Sequence, residues 1–223
     1  MRNLKYVEAI NETLYQFMEE DERIVILGAC SVSSPWYVGG TLEHIKEIFP
    51  KRVIDGPVSE NAITGMAIGM AIMGMRPILV FPRMDFMLYA MDPIINQAAK
   101  WSYMFGGKMS VPLVIWAIIN RGGSQGAQHS QDFSGLFKQI PGLKVIKPSN
   151  VYEAKGFLVW AIEEPNPVIF VDNRELYQTE VEISEKNYRC TPMYLTPPDP
   201  WCPAPCSEIL EKRFYEKVEG SIY

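Results

Sequence analysis

Short, almost wholly apolar runs alternate along this chain with stretches of helical periodicity, and few folds accept that pattern. The first run is Arg23-Ile24-Val25-Ile26-Leu27-Gly28-Ala29. It lacks the polar alternation of a strand with one face in water, so it reads as a strand covered on both faces, the usual state of parallel strands. Residues 52–55, 77–81, 112–119, 143–146 and 168–172 read as strands too, Pro112 lying near a strand start where a sheet accepts it. Between them lie helical patterns. Residues 4–20 place Val7, Ile10, Leu14, Phe17 and Met18 on one face, and Thr41 is placed to cap a short helix through Phe49, with Pro50 just beyond. A helix follows from Glu60 to about Gly74, then a long stretch from Phe86 to Phe105 interrupted near Pro93, then a helix over 151–164. Strands alternating with helices require crossover connections. The expected fold class is therefore α/β: a doubly wound, mostly parallel sheet with helices on both faces.

In such sheets ligands collect where strands end and helices begin. The stretch Asp55-Gly56-Pro57-Val58-Ser59-Glu60 is one such place: a strand, a Gly-Pro turn and a helix that opens on a carboxylate. Glu60 is the first functional candidate, although the helix macrodipole also favours an acid there. The second is His129, at the end of the glycine-rich loop over 120–130, where the backbone can approach a ligand closely. The other histidine, His44, carries no assigned role. The methionines between Met66 and Met91 read as packing at a subunit interface. Gly65 and Gly69, four apart on one helix face, let two helices approach closely or let this helix pack tightly on the chain's own sheet.

Composition bounds the function. With 48% hydrophobic residues among 223, the chain supports one globular domain with a sizeable core. Lys and Arg are scattered and the net charge is −5, so nothing points to nucleic acid. No apolar run reaches the roughly 18 residues of a membrane span, and the start of the chain has no signal-peptide pattern. Cys30, Cys190, Cys202 and Cys206 match neither a zinc site nor a disulfide framework. A late disulfide stays open, and a reduced, cytoplasmic protein is the simpler reading. Residues 191–205 hold six prolines, which excludes helix and central strand. The division expected is a domain over 1–187 and an extended, proline-rich arm over 188–223, with a short terminal helix near Ser207–Tyr215.

The order of motifs carries a resemblance. RVIDGPVSENAITGMAIGMAIMGMRPILVF, DPIINQAAKWSYMFGG, VPLVI, GAQHSQ, PGLKVIKPSNVYEAKGFL and NPVIFVDNRELY together resemble the pyrimidine-binding, transketolase-like domain of 2-oxo acid dehydrogenase beta subunits, over roughly residues 4–185. The resemblance implies a heteromeric thiamine-diphosphate enzyme of the pyruvate, branched-chain or acetoin dehydrogenase type, which decarboxylates a 2-oxo acid and passes on the acyl group. Glu60 would be the acid that hydrogen-bonds the aminopyrimidine ring nitrogen, which needs a carboxyl able to hold a proton; apolar surroundings favour that. Phe86 would pack on the aminopyrimidine, with Pro82, Tyr89 and Val58 lining the same pocket. His129 would stabilise charge on the substrate-derived intermediate or hand a proton to lipoyl sulfur. Backbone carbonyls at Leu113, Ala161, Glu164 and Asn166 would hold a structural potassium ion.

Several features depart from that family. Phe81-Pro82-Arg83-Met84-Asp85-Phe86 brings two charges close to the site, and the loop Cys30–Tyr37 lacks the usual acidic pair. No Gly-Asp-Gly…Asn motif is present, so magnesium and the diphosphate would be held by an alpha-type partner subunit, in an α2β2 heterotetramer. The second domain of such subunits reads as missing, while the tail from Cys202 to Tyr215 is similar to their extreme C-terminal end. A lipoyl acyltransferase is the implied further partner. Two other readings remain: a stand-alone two-chain decarboxylase or carboligase, and a non-catalytic scaffold. The second needs neither Glu60 nor His129.

Overall fold

The computed structural model describes residues 2–30, 32–123, 125–183, 188–190 and 192. A strand β1 (Arg2–Lys5) leads into helix α1 (Tyr6–Glu20), which follows with β2 (Ile24–Ala29), two single-turn helices α2 (Pro35–Val38) and α3 (Ile45–Ile48), β3 (Val53–Gly56), α4 (Glu60–Ile72) and β4 (Arg76–Phe81). A 3₁₀ segment (Met84–Ala90) and a π-helical segment (Pro93–Ala98) run into α5 (Ala99–Met104), so the stretch expected to break near Pro93 is continuous but irregular. Then come β5 (Val114–Ile119), a 3₁₀ turn (Ala127–His129), α6 (Ser134–Phe137), β6 (Lys144–Ile146), α7 (Val151–Glu163), β7 (Val168–Asn173), a 3₁₀ turn (Arg174–Leu176) and β8 (Glu180–Ile183).

Six strands form one wholly parallel sheet in the order β3-β2-β4-β5-β7-β6. Every residue of β2 and β5 is buried, which is why both read as unbroken apolar runs. Residues alternate between two cores. On one face Ile26, Val80, Trp116 and Phe170 meet Ile10 and Leu14 of α1 and Leu158 and Trp160 of α7. On the other, Leu27, Leu79, Ile115 and Ile169 meet Ile63 and Ala67 of α4, the Met84–Ala98 stretch and Phe137 of α6. Helices on both faces make the sheet doubly wound, as expected from the sequence. The α1–α7 contact is pinned by the fully buried Lys155, whose ammonium lies 2.5 Å from the Glu12 carboxylate.

Two local expectations are corrected. The first helix starts at Tyr6, because residues 2–5 pair antiparallel with β8 instead. Thr41 caps nothing: its hydroxyl donates to the Val38 carbonyl at 2.8 Å, and α3 begins only after His44, which sits at φ 62°. Gly65 and Gly69 also resolve. A Cβ built on either meets nothing within 4 Å, so both face away from the chain's own sheet. The proline-rich arm and terminal helix expected over 188–223, with Cys202 and Cys206, lie almost entirely outside the described residues. Among the described residues, Cys30 and Cys190 are free thiols, and no helix is long and apolar enough to cross a membrane.

Candidate active site

The sheet changes its direction of winding at β2 and β4. From β2 the chain moves outward to β3; from β4 it moves the opposite way, to β5. The connections therefore part above the ends of these two strands and leave a crevice, the usual ligand position in this architecture. A cavity of about 460 Å³ lies there. Its wall comes from the end of β2 (Ala29, Cys30), from α2 (Trp36, Tyr37), from the β3–α4 junction (Val58, Glu60), from β4 and the segment after it (Phe81, Pro82, Arg83, Phe86, Tyr89) and from the loop after β5 (Gln125, His129). Every residue assigned to catalysis or pyrimidine binding from the sequence lines this one cleft. Trp36, Tyr37 and Gln125 were not foreseen. Their only sequence signal is their place just beyond a strand's C-terminal end.

Close backbone approach builds the floor. A Cβ on Gly28 would stand 2.5 Å from the Val80 carbonyl oxygen, so only glycine lets β2 and β4 pair at this height. Two residues on, Cys30 takes φ 63°, a left-handed conformation uncommon for a side-chain-bearing residue. Its neighbourhood is tied down by Asp55, which accepts from the Ser33 amide at 3.2 Å and hydroxyl at 3.0 Å and pairs with Lys46.

Glu60 opens α4, in the first turn where the helix N–H groups have no intrahelical partner. The residue is half-buried rather than enclosed, and no described residue hydrogen-bonds or ion-pairs with its carboxylate. The cleft is not purely apolar either: Arg83, one of the two charges expected close to the site, is buried in the same wall. His129 ends its 3₁₀ turn and sets its ring edge-on to Phe86, centroids 5.3 Å apart at 83°. Its Nδ1 is buried and has no hydrogen-bond partner among the described residues. The loop that carries it is anchored by Asp85, whose Oδ1 accepts from the Gln131 amide at 3.2 Å and its side-chain Nε2 at 2.8 Å.

A polar chain runs behind the cleft. Arg83 donates from Nε to Gln125 Oε1 at 2.6 Å and from Nη1 to the Tyr37 carbonyl at 3.1 Å. Gln125 Oε1 also accepts from Asn120 Nδ2 at 2.9 Å, and Asn120 Oδ1 from Arg174 Nη1 at 2.8 Å. Arg174 in turn reaches the Trp36 carbonyl at 3.3 Å. Below this chain Asp172, fully buried, accepts from Tyr177 Oη at 2.6 Å and Trp116 Nε1 at 3.0 Å. Burial outweighs those hydrogen bonds and pushes its carboxyl up to about 6.

The potassium positions fall elsewhere, where β5 and β7 begin and α7 ends. Leu113 O already accepts the Val168 amide at 2.9 Å. Pro165 denies the Ala161 carbonyl its helical N–H partner. Glu164 is buried with the Lys144 ammonium 2.6 Å from its carboxylate, and Asn166 Oδ1 is buried without a partner among the described residues.

Trp36, Val58 and Tyr89 stand 67%, 70% and 72% exposed at the mouth of the cleft. Ala62, Gly65, Met66, Gly69 and Met73 make an exposed stripe along the outer face of α4 beside it.

Comparison with known proteins fits this layout. Residues 2–180 match the family described as transketolase, pyrimidine binding domain. The chain is 43% identical over 198 residues to an acetoin:2,6-dichlorophenolindophenol oxidoreductase subunit beta of Cupriavidus necator, a match covering 84% of this chain and 58% of that protein. It is 36% identical to a pyruvate dehydrogenase E1 component subunit beta of Rickettsia bellii, covering 80% of this chain and 55% of the relative. The Saccharomyces cerevisiae mitochondrial pyruvate dehydrogenase E1 component subunit beta is 37% identical, with 80% and 49% covered. The chain thus spans about half the length of the curated relatives it matches. A solved split-gene transketolase, an inactive beta4 tetramer, shares the fold at a TM-score of 0.61 and 21% identity, covering 77% of this chain and 52% of that one.

Proposed function

Starting from the fact that this chain belongs to the transketolase pyrimidine-binding-domain family, we propose that it is the beta-type subunit of a heteromeric thiamine-diphosphate enzyme that decarboxylates a 2-oxo acid and passes on the acyl group. The observation that carries this reading is the convergence of Glu60, Phe86 and His129 on one cleft. Among the described residues two of these present unpaired polar groups there: the Glu60 carboxylate meets no partner, and His129 Nδ1 is buried without one. Such groups suit a ligand with ring nitrogens and an amine, and Phe86 offers an aromatic face for stacking.

Bound here, thiamine diphosphate would supply the nucleophilic carbon and the electron sink that decarboxylation requires. Glu60 would hold the proton shared with the pyrimidine ring nitrogen. Its place at a helix start keeps it fixed, and exclusion of water by a covering partner would help it retain that proton. His129, held by Phe86 and by the Asp85–Gln131 anchor, would serve the acyl-bearing side of the cleft. Pro82, Val58 and Tyr89 shape its apolar wall. The partner would be an alpha-type subunit that brings magnesium and the diphosphate grip and seats on Trp36, Val58, Tyr89 and the α4 stripe, in an α2β2 heterotetramer. A lipoyl acyltransferase would take the acyl group. A potassium ion held by carbonyls at Leu113, Ala161, Glu164 and Asn166 would brace the far end of the sheet. The names of the relatives point to pyruvate and acetoin as candidate substrates.

The test is co-expression with the alpha-type partner, then thiamine diphosphate binding and 2-oxo acid turnover. Glu60→Gln should abolish turnover by at least a hundredfold, roughly the size of a positioned acid–base contribution, while the assembly elutes unchanged. Turnover within twofold of the parent would sink the mechanism.

A further inference from the structure

Arg83 is the charged group in the cleft that the proposed chemistry leaves unused. It is only 5% exposed, and a guanidinium removed from water is stabilised fully only by an opposite charge. Its partners are all neutral: the Gln125 side chain and the Tyr37 and Pro82 carbonyls. Among the described residues no carboxylate lies at ion-pair distance. Asp85, two positions on, acts on Arg83 through space without touching it: its Oδ1 accepts from Gln131, and its Oδ2 is buried without a hydrogen-bond partner among the described residues. A second cation, Arg174, stands behind and opposes it. Arg83 Nη2 donates to no described residue. Tyr37 and Gln125, which hold the guanidinium, both line the cleft, so the charge sits in its wall between them.

We infer that Arg83 receives the substrate carboxylate, so that the cleft takes a 2-oxo acid anion and rejects a neutral hydroxyketone. A carboxylate is the acceptor that a guanidinium edge matches in shape, and it supplies the contacting counter-charge that no described residue brings to Arg83. The catalytic meaning rests on the function proposed above; anion binding at Arg83 belongs to the chain itself and is measured apart from it.

The experiment titrates the full chain with pyruvate and, separately, with acetoin by calorimetry, in the parent, Arg83→Met and Arg83→Lys. Expected is a preference for pyruvate of at least about tenfold, lost by about ten- to a hundredfold in Arg83→Met, with acetoin binding unchanged and part of the preference kept in Arg83→Lys. Arg83 also clamps Tyr37 to Gln125, so thermal unfolding is followed in each variant. If Arg83→Met does not fold, the parent decides: pyruvate must raise its melting temperature more than acetoin does. Equal affinity of the parent for both compounds, no binding of pyruvate, or equal loss of both ligands in Arg83→Met overturns the inference. Thiamine diphosphate binding with the partner present is scored independently. Its failure beside an intact pyruvate preference refutes the cofactor reading alone.

Discussion

Asp172 gives the sharpest quantitative prediction. Its carboxyl is pushed up to about 6 from an ordinary 3.8, burial being the largest cause. Above pH 6 it is ionised in both the folded and the unfolded chain, and the folded state bears the cost of a buried charge. Below pH 4 it is protonated in both, and the cost vanishes. This group therefore destabilises the fold progressively as pH rises from about 4 to about 6. A shift of two pKa units corresponds to about 3 kcal/mol. Asp172→Asn keeps an acceptor for the Tyr177 hydroxyl and Trp116 Nε1 but cannot ionise. The absolute stability of the variant depends on how its amide nitrogen fits beside the buried Tyr6 hydroxyl, which faces the carboxylate; the pH dependence does not. Urea unfolding of both proteins at half-unit steps from pH 4 to 7.5 should show the variant gaining about 3 kcal/mol on the parent across that range. A difference that stays flat within about 0.5 kcal/mol would refute the argument that burial raises the Asp172 carboxyl above its ordinary value.

His129→Ala in the assembled enzyme should slow acyl transfer to lipoamide by at least tenfold more than it slows decarboxylation, measured with an artificial electron acceptor against lipoamide; equal losses remove the transfer role. Gly65→Leu should cost less than about 1 kcal/mol in unfolding of the chain alone, since nothing lies within 4 Å of the added carbon. The same change should abolish co-elution with the alpha-type partner in size exclusion. An intact complex would move the partner off α4.

The sheet was legible because its inner strands β2, β4, β5 and β7 are buried on both faces and so announce themselves as apolar runs. Glu60 and His129 were legible because a carboxylate and an imidazole just beyond strand ends are unusual, and because neighbouring motifs kept their order. What escaped was set by distant partners. Residues 2–5 continue the periodicity of α1, and nothing local marks them as a strand, since pairing comes from 180–183. Thr41 has the residue type of a cap, but the glycines before it turn the chain elsewhere. Arg83 was visible as a charge near the site. Its burial without an acid partner was not, because that depends on Tyr37, Asn120, Gln125 and Arg174, which come together only in space.

The β1–β8 ribbon has a consequence for synthesis. Lys5 pairs with Glu180, about 175 residues away, so closing that loop costs roughly 4–5 kcal/mol in chain entropy. On the ribosome the first strand emerges early and must wait, with an open hydrogen-bonding edge, until nearly all the rest of the domain has left the exit tunnel. The ribbon can close only after β8 has emerged, and until then the free edge is open to pairing with a neighbour. Arg2 and Lys5, charges on that waiting edge, are the residues suited to keep it apart until β8 arrives.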